Sequence, residues 1–257
     1  MHWGPASAGP FVREGGSGVW FALSSSAAAA NNGVDPRGTA DGDVLPSIET
    51  GAMRSRVTAV AIAAAIAALY SRVVRDSILN WGATDAEASA WLPGDELLEH
   101  AEGVSTRAIE IDAPAAAVWP WLAQMGPSPR GGAYTYDWIE NLLGLDMHST
   151  DRVLPEFQHP GIGDTVGFGS SRMRLDLVES ERVLAWRSED GNWVWTFVLE
   201  PLNGGTRLIS RNRFRLSTLV ARMSALPMEP GSLVMEKKML RGIKQRAERL
   251  ASAAVTP

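Results

Sequence analysis

Hydrophobic and polar residues alternate most regularly between residues 164 and 216 of this chain. Met173, Leu175 and Leu177 fall on one face of an extended segment, and charged residues occupy the positions between them. The segments with this period of two are residues 164–168, 172–178, 182–187, 192–200 and 206–216. Short turns rich in Gly and Asn separate several of them, so we predict an antiparallel sheet with one buried face.

A separate strand is predicted before this run, over residues 106–112. Its pattern indicates a buried face that carries Ile109 and Ile111, with Arg107 assigned to the opposite, polar face. This strand is expected to join the same sheet.

Three segments have the apolar spacing of three and four that is typical of helices. They are residues 114–125, 134–143 and 231–254. The last is the longest, and its apolar residues, which include Leu240 and Ile243, lie opposite a basic face. Because the sheet offers the only large unpaired apolar surface, we expect the last helix to pack against it.

The N-terminal third of the chain lacks these patterns. Residues 1–52 are rich in Gly, Ala, Ser and Pro and are predicted to be disordered, and Met53 offers an alternative start. Residues 53–80 form an apolar, alanine-rich segment for which three interpretations stay open: a membrane anchor through residues 57–74, a cleaved signal peptide, or an alanine-rich soluble helix. Residues 81–105 are predicted to be a capping segment, with Thr84 and Glu87 spaced as a capping box.

Composition excludes some classes of function. The formal net charge of −5 argues against nucleic-acid binding, which needs a basic surface to displace counterions. The absence of cysteine excludes disulfides and thiolate chemistry. Ten tryptophans supply large, rigid apolar surface for a core or for the wall of a pocket.

The order of the predicted elements resembles the helix-grip fold, and short segments strengthen the resemblance. These segments are WGAT at 81–84, LPGDE at 92–96, VWPWLAQMG at 118–126, YTYDWIEN at 134–141 and VMEKKMLRGIK at 234–244. They are similar to an actinobacterial branch of the SRPBCC superfamily, which is also described as START/Bet v 1-like or polyketide cyclase/dehydrase-like. The resemblance implies an α+β fold: a curved antiparallel sheet of about six strands that wraps a long C-terminal helix, with two short helices after the first strand. It implies a ligand-binding domain over residues 106–255.

A sheet and one helix leave space between them, so we expect an internal cavity for a small apolar molecule. The residues expected to line it are Trp193, Trp195, Phe197, Ser210, Asn212, Phe214, Leu240 and Ile243, with Tyr134, Asp137 and Asn141 at its mouth. Alternatively, Ser210 and Asn212 form hydrogen bonds with the backbone or with water. The tryptophans could equally belong to an ordinary hydrophobic core without a ligand. The alternative for the three residues at the mouth is helix capping and surface bonding.

Three functional hypotheses follow. The first is a non-catalytic binder or carrier of a small hydrophobic molecule, lipid-like or polyketide-like. The second is a cyclase/aromatase or dehydratase, in which Tyr134, Asp137, His148 or His159 moves protons. The third is an interaction module without a ligand. We assign no catalytic residue and expect no metal or other cofactor. The location is expected to be cytoplasmic, or at the inner membrane through the N-terminal helix, and the oligomeric state stays open.

Overall fold

A six-stranded antiparallel sheet forms the centre of the protein. The structure is a computed structural model that describes residues 49–69, 74–168 and 171–255. The strands are β1 (Gly103–Ile111), β2 (Thr165–Phe168), β3 (Ser171–Glu179), β4 (Val183–Ser188), β5 (Trp193–Leu202) and β6 (Gly205–Phe214). Their order across the sheet is β1-β6-β5-β4-β3-β2, and every neighbouring pair is antiparallel. The predicted sheet is confirmed, with strand ends displaced by at most three residues.

The alternation along β3 is interrupted by a bulge. Leu175 pairs with Trp186 on the inner face, whereas the register shifts before Leu177, which pairs with Ala185. An extra residue in one strand turns all following side chains to the other face. Val178, and not Leu177, therefore packs against the main core. The prediction that Leu177 shares a face with Leu175 is wrong for this reason.

Six helices accompany the sheet in the described residues. They are α1 (Glu49–Leu69), α2 (Arg75–Leu79), α3 (Asp85–Ser89), α4 (Ala115–Ala123), α5 (Asp137–Leu142) and α6 (Leu219–Val255). Helix α6 packs across the inner face of the sheet, where Met239, Leu240, Ile243 and Ala247 are at most 1% exposed. The predicted helix-grip arrangement, with α4 and α5 after the first strand, is confirmed.

Helix α6 begins at Leu219, twelve residues before the predicted start at 231. Pro227 and Pro230 lie inside it, and proline usually ends a helix because it lacks a donor and clashes with the preceding turn. Glu229 lies between them and forms a 2.8 Å ion pair with Arg75 of α2. This contact joins the first part of α6 to α2, which the sequence pattern did not predict.

The N-terminal predictions fall partly outside the described residues. Residues 1–48, predicted to be disordered, and residues 70–73 are not described. Helix α1 begins at Glu49, and its residues 58–68 are exposed. None of the helices that the structure describes is both long enough and apolar enough to span a bilayer.

The segment from Ala83 to Leu98 covers the outer face of the sheet. Leu92 packs with Ala108, Val198 and Ile209, which point away from α6. Asp95, which is 1% exposed, lies 2.7 Å from Arg211 and 3.4 Å from Arg213. The predicted capping segment thus has a structural role, although β1 already begins at Gly103.

Glu87 ties the start of this segment to the sheet and should make its stability depend on pH. Both predicted bonds of the capping box with Thr84 are present, and Arg207 lies 2.7 Å from the Glu87 carboxylate. Mainly because Arg207 donates hydrogen bonds to it, the pKa of Glu87 falls from 4.5 to about 2. A lowered folded-state pKa contributes stability above pH 4.5 that is lost as the pH falls towards 2.

We therefore expect Glu87→Gln to lower the free energy of unfolding near neutral pH. The difference from the parent protein should shrink between pH 4.5 and 2, as measured by urea unfolding at a series of pH values. A difference that stays constant across this range would show that the carboxylate charge of Glu87 contributes nothing to stability.

Candidate functional site

Four aromatic rings form a ladder on the inner face of β5 and β6. Trp193 stacks on Phe214 at a centroid distance of 5.9 Å and on Trp195 at 5.8 Å, and Trp195 contacts Phe197 at 4.9 Å. We call these four residues the aromatic ladder. Side chains at alternate positions of one strand share a face, and Phe214 is the direct cross-strand partner of Trp193.

Burial changes along the ladder. Phe197 is 0% exposed and belongs to the main core, together with Leu240 and Ile243 of α6, which are also 0% exposed. Trp193 and Trp195 pack against that core but remain partly exposed. The ladder thus runs from the packed interior towards the end of the sheet at which β5 begins and β6 ends.

The indole donors of the ladder are already engaged. Trp193 Nε1 donates to Asn212 Oδ1 at 2.9 Å, and Trp195 Nε1 donates to Ser210 Oγ at 3.0 Å. Ser210 and Asn212 lie on the inner face, as predicted, and the protein itself supplies their partners. Trp rings without a free donor offer an apolar surface to whatever lies beside them.

A buried ion pair lies behind these two polar residues. Glu236 of α6 accepts from Arg107 of β1, from Ser210 Oγ at 2.5 Å and from Asn212 Nδ2 at 3.3 Å. Arg107 also donates to Ser232 Oγ at 2.8 Å and to the backbone oxygen of Ile78 at 3.1 Å. The guanidinium and the carboxylate are 1% and 9% exposed, so their charges compensate each other away from water.

Arg107 lies on the inner face of the sheet, so the prediction that it belongs to the polar face is wrong. Residues 107, 109 and 111 share a face because side chains alternate along a strand. Arg107 was assigned to the polar face on its charge alone, but it pairs with Ser210 across the sheet and lies under α6. Glu236 was missed as well, because its partner is 129 residues away in sequence.

Tyr134, Asp137 and Asn141 surround a loop. Asp137 accepts from the backbone and the hydroxyl of Ser149 at 2.7 and 2.6 Å, and Asn141 exchanges two hydrogen bonds with the backbone of Met147. Tyr134 precedes helix α5, although the helix was predicted to begin there, and its φ is 60°. Its hydroxyl donates to the backbone oxygen of Trp121 at 2.9 Å.

Burial raises the pKa of Tyr134, so its hydroxyl stays protonated at neutral pH. His148 and His159 lie on exposed loops, and His148 Nε2 is 3.0 Å from Asp146. The enzyme hypothesis therefore relies on a buried tyrosine, on two exposed histidines, and on Asp137, whose carboxylate is hydrogen-bonded to Ser149.

The sheet order, the long terminal helix on the inner face and the two short helices after β1 decide the fold. The chain has the helix-grip fold. No family model matches the sequence, and no curated protein matches it.

Solved structures with a similar fold include three bacterial proteins. A polyketide-cyclase-like protein of Corynebacterium glutamicum is 19% identical, covers 59% of this chain and 90% of its own, and has a TM-score of 0.31. An AHSA1-like protein of Aeromonas hydrophila is 18% identical, with coverages of 58% and 93% and a TM-score of 0.29. A protein of Mesorhizobium loti is 16% identical, with coverages of 57% and 98% and a TM-score of 0.36. Likenesses of this extent say nothing about a ligand or a reaction.

Proposed function

We propose that this helix-grip protein binds a small, apolar, flat molecule against the exposed end of the aromatic ladder, without chemical conversion. The observation that carries the proposal is the partial exposure of Trp193 and Trp195 on a face that α6 otherwise buries. Large aromatic side chains that remain open at the edge of a core offer a favourable contact surface to an apolar ligand.

The polar contacts of the ladder favour an apolar ligand over a polar one. Both indole donors are engaged by Ser210 and Asn212, whose remaining polar atoms face Glu236. A polar ligand at this position would have to compete with bonds that already exist. An apolar ligand would gain contact area with the rings and disturb none of these bonds.

The same network favours binding over catalysis. Proton transfer needs a titratable group that faces the ligand and can change its charge. Glu236, the carboxylate behind the ladder, is held by Arg107, Ser210 and Asn212. The cyclase hypothesis would instead need Tyr134, Asp137 or a loop histidine to reach the ligand. The Tyr134 hydroxyl is bonded to helix α4, Asp137 is bonded to Ser149, and the two histidines are exposed to solvent.

Replacing Trp195 should weaken ligand binding. We expect Trp195→Ala to bind the neutral fluorescent probe 1-aminoanthracene at least about tenfold more weakly than the parent, because the variant removes one of the partly exposed rings of the ladder. Trp195→Phe, which keeps an aromatic ring but loses the bond to Ser210, should retain most of the affinity. Fluorescence titration measures all three dissociation constants.

Trp91→Ala is the matched control, since Trp91 is 62% exposed and lies against Arg213 on the outer side of the sheet. It should bind the probe as the parent does. Two results would contradict binding at the ladder: a folded Trp195→Ala variant with the affinity of the parent, or a Trp91→Ala variant that loses as much affinity as Trp195→Ala. Either result would favour the interaction-module hypothesis.

A further inference from the structure

Helix α5 exposes its apolar residues and buries an acidic one. Trp138 and Leu142, four residues apart on one side of the helix, are 70% and 79% exposed. Glu140, which lies between them, is 7% exposed and points into the protein. Soluble proteins seldom leave two large apolar side chains side by side in water, and such a pair usually marks a surface that meets a partner.

The side of α6 next to this helix is basic. Lys238 is exposed, and its ammonium lies 5.8 Å from the ring centre of Tyr136, the residue that precedes α5. Lys237, the residue before Lys238, and Arg241, one turn after Lys237, both lie over the ring of Trp81, at 4.8 and 5.7 Å. The contact between Lys238 and Tyr136 connects the start of α5 to the basic residues of α6.

These three cations differ from the other basic residues of α6. Lys244 is paired with Glu248 and Asp112, and Arg246 with Asp151. Within the described part of the chain, Lys237, Lys238 and Arg241 contact aromatic rings and form no ion pair. Their positive charge is therefore not cancelled by a neighbouring carboxylate.

The acidic groups near α5 offset part of this charge. Glu140 is buried, and burial raises its pKa, which favours the neutral form. Asp137 is bonded to Ser149. Asp146 is exposed but lies 3.0 Å from His148.

We propose that Tyr136, Trp138, Leu142, Lys237, Lys238 and Arg241 form a docking surface for an anionic lipid bilayer. Tryptophan and tyrosine side chains favour the interface between water and hydrocarbon, and each lysine or arginine near an anionic leaflet adds attraction. The chain as a whole has a net charge of −5, so attraction to anionic lipid must come from a local surface of this kind. The surface lies on the bilayer and does not cross it, and the proposal does not depend on ligand binding at the aromatic ladder.

The test is flotation of the full chain with vesicles of phosphatidylcholine, with and without phosphatidylglycerol and without any added ligand. The protein should bind the anionic vesicles, and added salt should weaken the binding. Lys238→Glu should lower partitioning about fivefold or more. Arg182→Glu makes the same change of charge at an exposed arginine on the turn between β3 and β4, and should have a smaller effect.

The apolar contribution is tested by Trp138→Ser/Leu142→Ser, which should lower partitioning about tenfold. Ile162→Ser is its control, because Ile162 is 72% exposed but lies on the loop before β2. No binding to anionic vesicles would overturn the proposal, as would equal losses in the α5–α6 variants and their controls. Unchanged binding in the double variant would contradict the proposal, because the protein would then bind vesicles through another segment, such as the exposed helix α1. None of these outcomes affects the probe titration, which tests the ladder separately.

Discussion

Glu236→Ala is expected to lower the free energy of unfolding by about 3–5 kcal/mol, because it leaves the Arg107 guanidinium buried without a counter-charge. The guanidinium is 1% exposed, and water cannot replace the carboxylate without opening the contact between α6 and β1. Ser210 and Asn212 would lose an acceptor at the same time. Urea unfolding followed by circular dichroism measures the loss.

The double variant Arg107→Met/Glu236→Leu tests whether the two charges depend on each other. When both charges are removed, no unpaired ion remains, so the double variant should lose less stability than Glu236→Ala alone. Losses that simply add would mean that the two residues act independently, against the ion pair seen between them.

Asp95→Ala should have an effect of similar size, about 3–5 kcal/mol, on the opposite side of the sheet. Asp95 is the carboxylate between Arg211 and Arg213. Without it the two guanidinium groups would keep only uncharged hydrogen-bond acceptors, which are backbone carbonyls and, for Arg211, the Thr106 hydroxyl. The segment of residues 85–98 should also exchange its amide hydrogens faster, because Asp95 accepts from the backbone of Leu92 and holds this segment in place.

Glu99→Ala is the control for this change, since Glu99 follows the same segment but its side chain is exposed. It should change stability by less than about 0.5 kcal/mol. If Asp95→Ala unfolds at the same urea concentration as the parent, the Asp95 carboxylate does not contribute to the stability of the fold, against this prediction.

The sheet and the ladder could be predicted from the sequence because a period of two fixes both the strand and the face. Trp193, Trp195 and Phe197 needed only this alternation to be placed together. The prediction failed where a local feature altered the pattern. The bulge after Leu175 reversed the face of Leu177, and α6 continues through two prolines in a part that is paired with α2.

The polar part of the site could not be predicted in the same way. A charged residue on an inner face is stable only with a partner, and the sequence does not show which distant residue provides it. Arg107 and Glu236 are such a pair. The period of two by itself predicts that Arg107 shares a face with Ile109. The charge of Arg107 suggests the polar face instead, and that interpretation is the wrong one.

The most direct test of the proposed function is a ¹H–¹⁵N spectrum of the tryptophan indole groups during titration with 1-aminoanthracene, with resonances assigned from Trp→Phe variants. Ligand binding at the ladder predicts that the indole signals of Trp193 and Trp195 shift together with increasing probe, while that of Trp91 stays in place. Binding that leaves the Trp193 and Trp195 signals unmoved, or no binding at all, would contradict the proposal.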